Sequence, residues 1–189
     1  MSSHIMDKVI DVKNFGVIYA GAQKNIGPAG VTLVIIREDL LERVPENTPT
    51  MQKYKTHAAK DSLFNTGPCW AIYMCKLSLD HLKSIGGVPA IEKINRQKAK
   101  LVYDLIDNSD GFYKGHAEKD SRSLMNITFN LPTPELEEKC VKEATQNGLI
   151  GLKGHRSVGG MRASIYNAMP QEGVQNLVKF LEEFKENNQ

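Results

Sequence analysis

Two short apolar runs, residues 16–20 and Val31–Ile36, flank the segment Gly21-Ala-Gln-Lys24-Asn-Ile-Gly-Pro-Ala-Gly30. Both runs have strand-like composition, and the glycines and proline between them favour a tight turn. The only charge in that turn is Lys24. The pattern therefore places a lysine at the end of one strand and just ahead of another. The expected consequence is restricted access to water, which disfavours the ammonium form and lowers the pKa. A neutral amine is the form that Schiff-base chemistry requires. A turn lysine with no chemistry accounts for the same spacing, so spacing alone makes Lys24 a candidate nucleophile and nothing more.

The rest of the chain reads as an α/β protein. Glu38–Arg43 is expected to form a short helix that Pro45 ends. Residues 45–60 read as a loop, with a strand near Met51–Tyr54. Asn65-Thr66-Gly67-Pro68 reads as a turn with Thr66 as N-cap of a helix running to Ser84, stopped by Gly86-Gly87. A long helix over Val88–Ile106 follows, on the helical spacing of Ile91, Ile94, Leu101 and Leu105. Asp110-Gly111 is a turn. Beyond it come a strand over Leu124–Leu131, a helix from Thr133 or Pro134 to about Asn147, strands at Leu149–Leu152 and Met161–Tyr166, and a helix over Glu172–Glu186. Val174, Leu177, Val178, Leu181 and Phe184 share one face of that last helix. This order suggests a small sheet covered by helices.

A second informative stretch is Lys153-Gly-His155-Arg156-Ser-Val-Gly-Gly-Met-Arg162. Four basic or potentially basic side chains fall within ten residues, and the glycines let the backbone come close to a ligand. Arginine binds carboxylate or phosphate through two parallel hydrogen bonds. A solvated basic loop is the simpler reading of His155 and Arg156. Arg162 is different, because a charge inside a small, apolar strand needs a partner. Asn65-Thr66 is explained by helix capping alone, although amides at a helix start also bind phosphate.

Net charge is +2 over 189 residues. That gives no electrostatic case for nucleic acid or an anionic membrane. Cys69, Cys75 and Cys140 lack metal-ligand spacing and read as reduced thiols of a cytoplasmic protein. No apolar run reaches the ~20 residues of a membrane span. No metal site is expected.

Taken together, Gly21–Gly30, Phe64-Asn65-Thr66-Gly-Pro68 and Lys153–Ala168 resemble the phosphoserine aminotransferases, class V, fold-type I pyridoxal-phosphate enzymes. Order and spacing agree, and the likeness runs through the whole chain. It implies pyridoxal 5′-phosphate as cofactor and transamination of 3-phosphohydroxypyruvate with L-glutamate, giving O-phosphoserine and 2-oxoglutarate; related members act in pyridoxine synthesis. Lys24 would form the Schiff base and move the proton. Gln23 would lie beside the cofactor, and Asn65 and Thr66 would reach the cofactor phosphate of the partner subunit in a homodimer. Arg162 would clamp the substrate α-carboxylate, and His155 and Arg156 would read the distal phosphate or carboxylate.

The resemblance also implies domains. Residues 1–100 would be the C-terminal part of a large cofactor-binding domain, and 101–189 a small C-terminal α/β domain. Met1-Ser2-Ser3 matches the end of a family segment, Asp-Met-Ser-Ser, whose aspartate pairs with the pyridine nitrogen. The expectation is therefore a C-terminal half that lacks this aspartate, binds cofactor poorly and turns over little. The other expectation is a non-catalytic α/β module that dimerises or binds anions through Arg156 and Arg162.

Overall fold

The computed structural model describes residues 1–189, which divide into two compact units, Met1–Ile85 and Gly86–Gln189. The division falls ahead of the long helix, whereas the sequence reading draws its boundary after residue 100, near that helix's end.

In the first unit the two apolar runs pair as an antiparallel ribbon, β1 (Val17–Gly21) and β2 (Thr32–Ile36), in register from Val17 opposite Ile36 to Gly21 opposite Thr32. Alternation decides the faces. Ile18 and Ala20 are buried with Ile5, Ala22, Ile26 and Cys75, while Tyr19 between them is exposed. The helix expected at Glu38–Arg43 is a single tight turn, Glu38–Leu40. Pro45 lies four residues beyond Leu41, and its ring would strike the Leu41 carbonyl of any longer helix. The strand expected near Met51–Tyr54 is absent. Local bonds, Gln52 N–H to Pro49 O and Lys53 N–H to Thr50 O, close a turn at Thr50–Gln52 that runs into α1 (Tyr54–Ala58). With no neighbouring strand, the backbone satisfies itself locally.

Helix α2 (Cys69–Ser84) begins after Pro68, whose carbonyl accepts the Ile72 amide at 3.0 Å. Thr66 is therefore not the N-cap. The helix starts two residues too late for its hydroxyl to reach the first free amides. α2 buries only Ala71 and Cys75 and leaves Trp70, Ile72, Tyr73 and Leu77 exposed.

The second unit is built on α3 (Gly87–Asp107), α4 (Pro134–Gln146) and α5 (Gln171–Glu186) with a three-stranded antiparallel sheet. Its order is β3 (Lys114–Gly115), β4 (Asn126–Asn130), β5 (Met161–Ser164). Ile127 and Phe129 of β4 and Met161 and Ala163 of β5 enter one core with Val102 and Leu181. The opposite face carries Thr128, Arg162, Ser164 and Asn126. Thr133 caps α4, its hydroxyl accepting the Leu136 amide at 3.3 Å, with Pro134 in the first turn. α5 buries Val174, Leu177, Leu181 and Phe184. Each such side chain contributes about 1.5–3 kcal/mol on burial. Tyr113 is fully buried, and its phenol donates to the Leu181 carbonyl at 2.7 Å. Leu149–Leu152 is not a strand. The Leu149 amide turns back to Ala144 O and Gly151 bends the chain away, so β5 meets this segment only at Lys153–Met161 and through Arg162 N–H to Leu152 O.

Cys75 and Cys140 are buried and behave as small apolar groups; burial, helped by Glu143, pushes the Cys140 thiol up to about 12. No helix is long and apolar enough to cross a membrane.

Candidate functional site

Lys24 sits on the turn between β1 and β2, as its sequence position requires, with Gln23 beside it. The turn is closed by Ala22, whose amide donates to Val31 O and whose carbonyl accepts from both Lys24 N–H and Gly27 N–H, at 2.6 and 2.8 Å. The expected shielding from water does not follow. Lys24 and Gln23 are exposed. The buried cluster takes Ala22 and Ile26 on either side, and the chain between them turns outward. An exposed primary amine on a fixed backbone is the chemistry this segment offers.

Asn65 and Thr66 are exposed in the bend ahead of α2. Asn65 Nδ2 donates to Thr66 O at 3.2 Å. Because Pro68 rather than Thr66 stands at the helix start, the Thr66 hydroxyl is not consumed as a cap.

In the second unit, residues 153–160 form a closed loop. Gly154 N–H donates to Gly160 O at 2.8 Å, and His155 O accepts from Val158 and Gly159. A Cβ on Gly154 would lie 2.0 Å from Gly159 O, so only glycine permits this closure. The glycines thus let the loop approach itself, not only a ligand. His155 and Arg156 are exposed on it. His155 Nδ1 lies 2.7 Å from Ser157 Oγ and accepts the Ser157 amide at 3.3 Å. That acceptor role puts the ring proton on Nε2, which is left to donate outward. The loop and α4 enclose a cavity of about 430 Å³ whose lining includes Glu137, Glu138, Lys142, Lys153, His155 and Arg156. Arg162 does not line it.

Arg162 stands on the polar face of β5, opposite Thr128, and is half-buried. Its Nε is sealed from solvent and has no hydrogen-bond partner. The partner that sequence reasoning demanded for this charge is not a carboxylate of this chain. Nearby on the same face, Asn126 Oδ1 accepts from Ser164 Oγ at 3.1 Å and Tyr166 OH at 3.0 Å.

Two residues went unnoticed in the sequence. Lys98 is wholly buried, and its Nζ donates to the carbonyls of Ile165, Tyr166 and Met169 at 3.2, 2.9 and 3.0 Å. Burial pushes its pKa down to about 8. Asn95, also buried, donates to Asn167 Oδ1 at 2.8 Å. Both fix the segment that continues from β5. The signal was present: on α3 they fall at helical spacing among Ile91, Ala99, Val102 and Ile106, all buried. No cluster of three or more His, Cys, Asp or Glu side chains could hold a metal ion.

Comparison with known proteins adds a family. The pattern described as "Aminotransferase class-V" matches residues 1–177. The phosphoserine aminotransferase of Desulfotalea psychrophila is 62% identical over 188 residues, covering 100% of this chain and 52% of that protein. That of Geobacillus kaustophilus is 56% identical, covering 98% and 51%. Among solved structures, the phosphoserine aminotransferase from Bacillus circulans subsp. alkalophilus superposes with TM-score 0.95 at 52% identity, over 100% of this chain and 52% of that one. The pyridoxal-phosphate-bound phosphoserine aminotransferase from Trichomonas vaginalis gives 0.89 at 38%, over 96% and 52%. The chain spans about half the length of the curated relatives it matches.

Proposed function

Because the chain belongs to the class-V aminotransferase family, we propose that it carries the lysine-bearing and carboxylate-binding half of a phosphoserine aminotransferase site. The reaction is amino transfer between L-glutamate and 3-phosphohydroxypyruvate, giving 2-oxoglutarate and O-phosphoserine. The observation that carries this reading is Arg162, a half-buried guanidinium whose Nε lacks any acceptor in the chain. A charged group desolvated in this way costs stability unless an anion completes it, and a substrate carboxylate does so bidentately.

The donor set fits pyridoxal phosphate. Lys24 offers an exposed amine to an aldehyde, and the amide of Asn65 and hydroxyl of Thr66 suit a phosphate. When bound, that cofactor supplies the electron sink for chemistry at the substrate Cα. Lys24 Nζ would hold the cofactor and would serve as the base that takes the proton from the substrate Cα. Gln23 lies next to it on the turn and would orient the bound group. Asn65 and Thr66 would hold the phosphate of the cofactor bound in the partner subunit of a homodimer, so that one site would draw on two chains. Arg162 fixes the substrate α-carboxylate. His155 Nε2–H and Arg156, on their exposed loop, receive either a phosphate or a side-chain carboxylate, as an enzyme with two different anionic substrates requires.

The test combines trapping and binding. Because cofactor binding by this half is expected to be weak, pyridoxal phosphate is supplied in excess. Borohydride reduction is then expected to leave whatever adduct forms on Lys24 in preference to the other lysines, found by peptide mapping. Glutamate affinity, measured by calorimetry, is expected to fall about 10- to 100-fold in Arg162→Ala, the loss of charge-assisted hydrogen bonds. No adduct on Lys24 and unchanged affinity in the variant would sink the proposal. Anion binding at Arg162 without the Lys24 adduct would leave a non-catalytic anion-binding module.

A further inference from the structure

We infer that Asn25, with Ser2 acting on the same turn, is a positioning residue for Lys24; the inference rests on the cofactor role proposed for that lysine. The turn is held from outside at both flanks of Lys24. Before it, the Gly21 amide donates to Ser2 Oγ at 2.9 Å. Directly after it, Asn25 Nδ2 donates to the Ile5 carbonyl at 3.1 Å. Both clamps belong to one segment, Met1–Asp7, which is itself wound by His4 N–H to Met1 O and Asp7 N–H to His4 O.

That segment is anchored by packing. Ile5 and Ile26 are each 4% exposed and share the same buried cluster, so the Ile5 carbonyl is offered to Asn25 from a fixed place. On the other side of the turn, Ser78 Oγ donates to Asn25 O at 3.4 Å. Gly27 lies so near α2 that a Cβ there would come within 3.0 Å of Cys75 Sγ. An asparagine in a turn ordinarily bonds its own neighbouring backbone. Asn25 reaches twenty residues back.

The consequence falls on the lysine. Lys24 is exposed, at the end of a four-carbon stem. The reach of its amine depends on where its Cα is fixed, and the clamps on either side fix it. Loss of one clamp lets the backbone move, and displacements near 1 Å in a reacting group cost on the order of 100-fold.

Site-selective labelling of the full chain tests this. The chain is treated with limiting pyridoxal phosphate, reduced with borohydride, and the label on Lys24 compared with that on Lys100 and Lys179, whose side chains are 72% and 76% exposed. Asn25→Ala and Ser2→Ala are each expected to lower the Lys24 share about tenfold while those two lysines label unchanged. Ser2→Thr keeps the hydroxyl and is expected to retain the parental share, which a merely structural effect of altering residue 2 does not predict. Circular dichroism accompanies each variant, and Ser2→Ala carries the test if Asn25→Ala does not fold. Equal shares in the parent and the folded alanine variants overturn the inference and leave the cofactor role standing. A parent that labels Lys24 no more than Lys100 overturns both.

Discussion

Lys98 has no exposed surface, yet its ammonium is satisfied by three main-chain carbonyls and no carboxylate. Only the protonated form has three donors for those acceptors, while burial pulls the pKa down to about 8. The pH dependence follows from the direction of that shift. In the unfolded chain a lysine titrates near ~10.4. Between about 8 and that value the unfolded state holds a proton that the folded state has released, so unfolding takes up a proton and stability rises with pH. The contribution is full above the unfolded pKa and is lost as pH falls through about 8. Lys98→Met is expected to cost about 3 kcal/mol or more at neutral pH, because buried carbonyls lose their donor. It is also expected to abolish a rise of about 1–3 kcal/mol between neutral and alkaline pH. Urea unfolding of parent and variant at both pH values measures this. At this scale the sequence showed that Lys24 falls on a turn and Arg162 in a strand, but not their surroundings. Exposure of Lys24 depends on where residues 22 and 26 find their core, and the missing partner of Arg162 depends on which side chains reach β5 from elsewhere. Neither is written in local spacing.

Elements were legible where a start or stop signal accompanied a hydrophobic period. Thr133-Pro134 opened α4, Gly86-Gly87 separated α2 from α3, and the apolar stripe defined α5. Strands were legible only when long enough to alternate. β3 has two residues and no period to read. Leu149–Leu152 is apolar enough for a strand, but Gly151 turns it aside before a ladder forms. The loop between that segment and β5 makes a sharper demand. Gly154→Ala places a Cβ against the Gly159 carbonyl, which no side-chain adjustment relieves. The loop is expected to open, and the Gly154 amide, now bonded to Gly160 O, to exchange with solvent about tenfold faster or more. The core of the second unit is untouched by this, so amides of β4 are expected to keep their protection. Hydrogen exchange read by NMR reports both at once, and an unchanged Gly154 rate would mean the closure is not as tight as the geometry says.

At the scale of the whole molecule the two units differ in what holds them. The second has a continuous cluster of eighteen buried apolar residues, crossed by edge-to-face contacts of Tyr113 with Phe112 and Phe129. The first has six, together with a helix that hides only two of its side chains. Apolar burial sets local stability, so the units are expected to resist opening unequally. Limited trypsin digestion is expected to cut within Met1–Ile85 first and to leave a fragment beginning near Gly86, identified by mass spectrometry; cleavage of both units at equal rates would contradict it. Composition alone gave an ordinary globular protein and could not reveal this imbalance, because apolar content says nothing of how it is shared between cores. The exposed side of α2 has a further use. Trp70 is the only tryptophan in the chain and is 68% exposed. Its indole emission therefore comes from a single known place, and any macromolecule that covers this helix must change the colour of that light.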